Sequence, residues 1–368
     1  MSPESLSHQN AIPITQGNLT TANCVLMLSP SRGLGGGIER YVETLEWAIA
    51  AQGTPCQRVD LSGAGIRAHA MMLARGKALL RASSEPVRLV VGHPALLPVA
   101  TILARESTVC GIWVLCYGED IWNVRLHPRR MLERGLMRRR NVHVVAISGF
   151  TAGAVGADRH ATILPPALSP KWFDTLVASA SSTRPTAGFQ IATSFRLDAW
   201  QEKGLRQVIH AVAAMGRNDI HLTICGSGNP PPDMLRLLEE HSWCTLRAGL
   251  TDAELAQQFA AADVFVLATR TREGRHSSGE GFGLVLLEAQ VAGTAVIAPA
   301  HGGSSDAYVE GVTGVAPADE TAEALARVLD ELLRNPARLA WMGKRAAGWA
   351  REAFAPERYV ELVARRLL

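Results

Sequence analysis

In the stretch GEGFGLVLLEAQVAGTAVIA (279–298), two carboxylates, Glu280 and Glu288, have seven residues between them. Glu280 closes the polar, glycine-bearing loop RTREGRHSSG (270–279), and Gly281, Phe282 and Gly283 follow it. The apolar run 284–292 then reads as a helix stopped by Gly293. The N–H groups of Phe282, Gly283 and Leu284 at its start suit a phosphate. Glu288 falls inside that helix among apolar neighbours. A buried carboxylate needs a salt bridge, or hydroxyl donors from a ligand, and a vicinal diol such as ribose offers two. The internal alternative is an Arg or Lys partner, but no cation flanks Glu288 at three-four spacing.

A second constellation begins at Arg196, which ends the run FQIATSF and is followed, before the helix-like LRQVIHAVAAM, by Lys203 and Gly204. Helix N-termini favour anionic side chains, so Lys203 is placed against the dipole unless an anion lies between it and Arg196. The plain alternative is a solvated lysine. A third feature is Ser31-Arg32-Gly33-Leu34-Gly35-Gly36-Gly37 after the first strand-like run, where backbone could approach an anion at a helix start. Its spacing fits the dinucleotide fingerprint poorly, which weighs against a nicotinamide dehydrogenase. His93 closes VRLVVGH on the side where a cleft would lie; a contact to acceptor or donor competes with a structural role. No Asp-x-Asp pair occurs, so no metal site is expected.

Placing these residues requires strands whose carboxyl ends converge. VLMLSP (25–30), RVDL (58–61), VRLVVGH (87–93), VCGIWVLCYG (109–118) and VHVVAIS (142–148) read as buried parallel strands. Between the first two, Ile38, Tyr41, Val42, Leu45, Ala48 and Ile49 recur at helical spacing and Gly53 follows, which is a βαβ pattern. The small-residue, Ser- and Pro-bearing stretch DTLVASASSTRPTAG (174–188) reads as a linker. FQIATSF, HLTICGSG, CTLRAGL, DVFVLAT and TAVIAPA then restart the alternation. The expectation is an α/β chain of two doubly wound, Rossmann-like domains facing a central cleft. Its divisions are a polar, disordered lead-in over 1–23, an acceptor-side domain over 24–174, a linker over 175–187, a nucleotide-sugar domain over 188–352, and a final helix within 353–368 able to cross back.

The 368 residues suffice for two cores, and 47% hydrophobic with 19% charged residues excludes a disordered chain. A net charge of +3 gives no overall case for nucleic acid. The six cysteines form no CxxC pair and read as free thiols in strands, consistent with a reducing cytoplasm. Neither a signal peptide nor a membrane-spanning stretch is legible.

The spacing in EGFGLVLLEA resembles the retaining GT-B glycosyltransferases of the group 1 family, glycosyltransferase family 4. The glycine loop, YGED (117–120), AISGFT, ILPPAL, the Arg196…Lys203-Gly204 pair, ICGSG and GGSSDAYVEGVTG (302–314) follow in that family's order, over about residues 24–359. The resemblance implies transfer of a hexose, with a marginal preference for mannose, from GDP-mannose or a UDP-hexose. The acceptor would be a saccharide or a polyprenyl-diphosphate-linked sugar. It implies that Arg196 and Lys203 hold the donor diphosphate, Glu280 a sugar hydroxyl and Glu288 the ribose. Gly36, Gly37 and the backbone of Phe282, Gly283 and Leu284 would line the donor. No cofactor is implied beyond the donor as substrate. Many relatives carry a histidine where Tyr117 stands; Tyr117 could donate a hydrogen bond there but not act as an imidazole base. Glu119 and Asp120, beside it, fall on the acceptor or sugar side.

One further segment, 125–140, carries seven arginines, among them Arg130, Arg134, Arg138, Arg139 and Arg140, around Met131, Leu132, Leu136 and Met137. A basic amphipathic helix fits peripheral contact with an anionic inner membrane face or docking of an anionic acceptor; a solvated helix face is the alternative. Two other functions stay open on the sequence: a GT-B-fold epimerase of UDP-sugars, and a non-catalytic nucleotide-sugar or membrane-docking protein.

Overall fold

The computed structural model describes residues 24–30, 36–118, 128–156, 160–180, 188–271 and 279–368. The lead-in 1–23, the tip of the glycine loop, Glu119, Asp120 and most of the loop 270–279 lie outside them.

The first sheet holds β1 (Cys24–Ser29), β2 (Cys56–Asp60), β3 (Val87–Val91), β4 (Val109–Cys116), β5 (Val142–Ala146) and β6 (Ala161–Ile163) in the order β2-β1-β3-β4-β5-β6. The second holds β7 (Phe189–Arg196), β8 (Ile220–Ser227), β9 (Cys244–Ala248), β10 (Val264–Val266), β11 (Ala295–Ile297) and β12 (Gly314–Val315), ordered β12-β11-β10-β7-β8-β9. Every pairing is parallel. Strand order reverses between β1 and β3 in one sheet and between β7 and β10 in the other. Ligands bind at such switch points, outside the carboxyl ends of the strands. The short edge strands β6 and β12 carry too few apolar residues to stand out in the sequence.

Helices α1 (Gly37–Ala51), α2 (Gly65–Ala82), α3 (Leu97–Leu103), α4 (Pro128–Met137) and α5 (Gly149–Val155) belong to the first sheet. The α1 stripe packs as its spacing requires, with Tyr41, Val42, Leu45, Ala48 and Ile49 buried. Helix α6 (Pro170–Ser179) runs into the stretch read as linker, so residues 175–179 are helical and not a flexible connection. Its Trp172 and Leu176 are buried, and small Ala and Ser residues after Leu176 obscure the helical period. The second sheet is covered by α7 (Leu205–Ala214), α8 (Pro232–Glu239), α9 (Asp252–Ala261), α10 (Leu284–Val291), α11 (Ala322–Leu333) and α12 (Pro336–Ala353). After the break at Pro356, α13 (Pro356–Arg366) returns to the first domain. It packs on α1, and the Gln52 side-chain amide donates to the Val360 carbonyl (2.7 Å).

One apolar cluster runs between the domains, joining Tyr41, Ile147 and Trp172 to Phe282 and Leu287. All six cysteines lie on strands with free thiols, and only Cys116 and Cys225 are fully buried. Among the described residues no helix is long and apolar enough to cross a membrane.

Candidate active site

Between the sheets lies a cavity of about 450 Å³. The second domain contributes residues 279–284 to its lining; the first contributes Gly37, His93, Tyr117, Arg129, Arg130 and Glu133. It lies where both switch points direct a ligand, since Gly37 follows β1, His93 follows β3 and the 279–284 loop precedes α10.

Glu280 is the charged group of the second-domain wall, and Lys203, outside the lining, pairs with it. Lys203 Nζ donates to Glu280 Oε2 (2.9 Å), and Thr269 Oγ1 donates to the same oxygen (2.9 Å). Burial alone would raise the Glu280 carboxyl. Lys203, the Thr269 hydroxyl and the Gly283 N–H outweigh it and hold the group below the usual carboxylate range. Lys203 is placed by Gly204, which sits at φ +72° with no room for a Cβ against the Ala268 carbonyl. The 203–204 turn thereby locks to the end of β10, and Thr269 arrives from the same strand end. Thr269 escaped the sequence reading because a threonine closing a strand is common.

Arg196 is outside the cavity lining. It ends β7 with a side chain 60% exposed and donates from Nη2 to Asp198 Oδ2 (3.2 Å). Glu288 is also outside the lining, and 1% exposed. Its Oε1 accepts from Arg40 Nη1 (3.0 Å) and from Trp172 Nε1 (3.0 Å). The internal cation that helical spacing could not supply comes instead from α1. Burial of this carboxylate is thus compensated within the protein, and its side chain does not require a ribose.

On the opposite wall, Tyr117 stacks on His93 and meets Tyr41 edge-on. Its hydroxyl proton goes to the Gly92 carbonyl (2.9 Å), so the expected donation to a substrate gives way to a backbone contact. His93 Nδ1 accepts from Ala95 N–H (3.1 Å), which leaves Nε2 as the protonated nitrogen of a neutral ring. Burial, with Arg129 and Arg130 nearby, pushes its pKa down to about 4. Gly36 caps α1 and Gly37 begins it; a Cβ on either meets nothing within 4 Å, so neither glycine is imposed by protein packing. Gly281 is imposed: its Cβ would overlap the Tyr117 carbonyl, where the domains touch. A second such contact is Gly149 N–H donating to Asp306 Oδ2 (2.5 Å).

The arginine segment divides. Helix α4 ends at Met137, so Arg138, Arg139 and Arg140 follow it as exposed residues instead of continuing it. Arg129 and Arg130, in its first turn, line the cavity. Arg134 is partly buried, toward Gly156. Met131 and Leu132 are 57% and 56% exposed, so the apolar side of α4 is only partly turned inward. Among the described residues, no cluster of three or more His, Cys, Asp or Glu side chains suits a metal.

Two facing doubly wound sheets with this cleft define the GT-B architecture. The sucrose-phosphate synthase of Thermosynechococcus elongatus superposes with a TM-score of 0.74 at 19% identity, over 93% of this chain and 98% of that one. HepE of Anabaena, solved with UDP and glucose, gives 0.69 at 16% over 94% and 99%. Residues 181–349 match the family model of the glycosyl transferases group 1. The GDP-mannose-dependent monoacylated alpha-(1-6)-phosphatidylinositol monomannoside mannosyltransferase of Corynebacterium glutamicum is 36% identical over 178 residues, 46% of this chain and 45% of that protein. The match thus spans less than half of that relative's length. The chain thus has the GT-B fold, and its carboxy-terminal part is similar to the group 1 glycosyl transferases.

Proposed function

We propose that the protein is a retaining glycosyltransferase. It moves a hexose, mannose before others, from a nucleotide diphosphate sugar to a saccharide or polyprenyl-diphosphate-linked acceptor. The observation that carries this reading is Glu280 on the cavity wall beside the 281–284 turn, held by Lys203 and Thr269. Breaking a glycosyl–phosphate bond develops negative charge on the departing diphosphate and oxocarbenium character on the sugar. A fixed cation stabilises the first, and Lys203 is held where it needs little reorganisation to do so. Arg196, at the neighbouring strand end, would join it by leaving Asp198 for the diphosphate.

Glu280, kept ionised, would accept a sugar hydroxyl, and the N–H groups of Phe282, Gly283 and Leu284 remain candidates for sugar and phosphate. In this reading the donor phosphate takes the acceptor proton on the face it leaves, so retention needs no carboxylate nucleophile. A metal is not required where Lys203 and Arg196 neutralise the diphosphate. Mannose is preferred because the Corynebacterium relative is named GDP-mannose-dependent; a UDP-hexose follows from the Anabaena complex with UDP. The reaction would take place in the cytoplasm. Exposed Met131 and Leu132 beside Arg138, Arg139 and Arg140 favour peripheral contact with an anionic inner membrane face.

The test is calorimetric titration of wild type and Lys203→Ala with GDP, UDP, GDP-mannose and UDP-glucose in EDTA. Binding of one nucleotide series, weakened at least about tenfold in the variant, is expected. Binding by none of the four would remove the basis for transfer.

A further inference from the structure

We infer that Glu133 binds the acceptor on the first-domain wall: its free carboxylate oxygen takes the hydrogen bond of an acceptor hydroxyl, and the acceptor presents neutral hydroxyls to this wall. The inference rests on the transfer reading and adds to it one recognition residue and the chemical class which that residue selects.

Helix α4 inverts the usual sorting of side chains. Met131 and Leu132 are more than half exposed, whereas Glu133 is 4% exposed and, with Met137, is what the helix buries. A carboxylate out of water needs hydrogen-bond donors, and it offers about four lone-pair sites to them. Glu133 meets that need once: Oε1 accepts from Arg129 Nε (3.0 Å), and Oε2 has no hydrogen-bond partner among the described residues. Burial accordingly raises the Glu133 carboxyl, although Arg129 and Arg130 pull the other way. The other carboxylate of the lining is better served. Glu280 takes both Lys203 and the Thr269 hydroxyl, whereas the single donor of Glu133 comes from a side chain 67% exposed.

The surroundings of Glu133 select what reaches it. Glu133 and His93 both line the cavity, and the turn Pro94–Leu96 that follows His93 packs against α4. Because His93 Nδ1 accepts from Ala95 N–H, its Nε2–H is the ring's donor. The wall therefore offers one hydrogen-bond acceptor and one donor, and hydroxyl groups, which both give and take, satisfy the two together. A cationic group would compete with Arg129 for the same carboxylate, and a fully ionised phosphate has no proton to give it. The donor diphosphate is served from the other domain, by Lys203 and the start of α10.

Protein saturated with GDP or UDP is titrated by calorimetry with neutral polyols: methyl α-mannoside, methyl α-glucoside, methyl β-galactoside and myo-inositol. Wild type should bind at least one of them. Glu133→Gln keeps the shape of the side chain and puts an N–H donor where the free oxygen stands, so it should weaken that binding about tenfold. Glu361→Gln, the same change in an exposed ion pair of α13, should lose nothing. Monofluoro analogues of the bound polyol test the contact on wild type itself, since fluorine in place of a hydroxyl cannot donate. One of them should lose as much on wild type and nothing further on Glu133→Gln. Nucleotide affinity should be equal in all three proteins. If no polyol binds wild type, if Glu133→Gln binds like wild type, or if every monofluoro analogue binds wild type like its parent, the assignment is refuted while nucleotide binding keeps the transfer reading. A parallel loss of nucleotide affinity in Glu133→Gln would also refute it, by placing the residue on the donor side. If neither GDP nor UDP binds wild type, both readings fall together.

Discussion

Arg40 and Glu288 meet at 3.0 Å although 248 residues separate them in sequence, and the contact joins α1 of one sheet to α10 of the other. The carboxylate is buried while the guanidinium is 44% exposed, so the two partners are not equivalent. Removing the arginine leaves a buried charge with Trp172 alone. Removing the glutamate leaves a cation that water can solvate. Arg40→Ala should therefore destabilise the protein by about 1–3 kcal/mol in urea unfolding, and more than Glu288→Gln does. If the ribose also uses Glu288, Glu288→Ala will weaken nucleotide binding and cut transfer, whereas Arg40→Ala will not weaken that binding. Equal nucleotide affinity in wild type and Glu288→Ala would make the residue purely a link between domains.

Thr269 is a positioning residue for Glu280. Thr269→Val keeps the shape of the side chain and removes the hydroxyl that donates to Oε2 (2.9 Å). The Glu280 pKa should rise, and transfer should fall about tenfold with nucleotide affinity little changed. Thr269→Ser should restore most of the rate. A valine variant with full activity would show that Lys203 orients the carboxylate unaided.

His93 gives stability a pH dependence whose sign is fixed by its environment. Its folded pKa, about 4, lies below the ordinary 6.5, so the unfolded chain binds the proton more readily. The contribution is fully present above about pH 6.5. It is lost as pH falls toward about 4, on the order of 3 kcal/mol in all. Arg129, Arg130 and Tyr117 face the ring throughout. Melting temperatures of wild type and His93→Gln should converge toward pH 4 and separate above pH 6.5. Parallel curves would mean that the ring titrates normally.

Replacing Arg138, Arg139 and Arg140 by Ser should reduce binding to anionic vesicles at low salt and leave neutral vesicles unaffected. Each lost cation near the surface is worth about 1 kcal/mol. Sedimentation with vesicles measures this directly, and undiminished binding would leave these arginines as solvated surface.

The long strands and the helix stripes were legible because burial on both faces demands runs of Val, Leu and Ile, while α1 buries only one side. The short edge strands β6 and β12 were not, since they carry few apolar residues. In the site, Lys203 and Glu280 were visible as charges at element ends, and the structure brings them together. Arg40 and Trp172 were hidden, since pairing across hundreds of residues leaves no local period. Arg40 sat on the polar side of a helix whose apolar side alone was informative. Tyr117 was found as a site residue but its contact to the Gly92 carbonyl was hidden, because nothing in the sequence places that carbonyl beside its hydroxyl.

The return of α13 to α1 gives the molecule two covalent crossings between its halves, one between β6 and β7 and one at the break before Pro356. A body tethered to another at a single point can swing in any direction; one tethered at two turns mainly about the line through them. Opening of the cleft is thereby reduced to a single rotation. Arg40 with Glu288, Gly149 with Asp306 and Gly281 with Tyr117 are contacts between the halves that such a rotation would strain according to their distance from its axis.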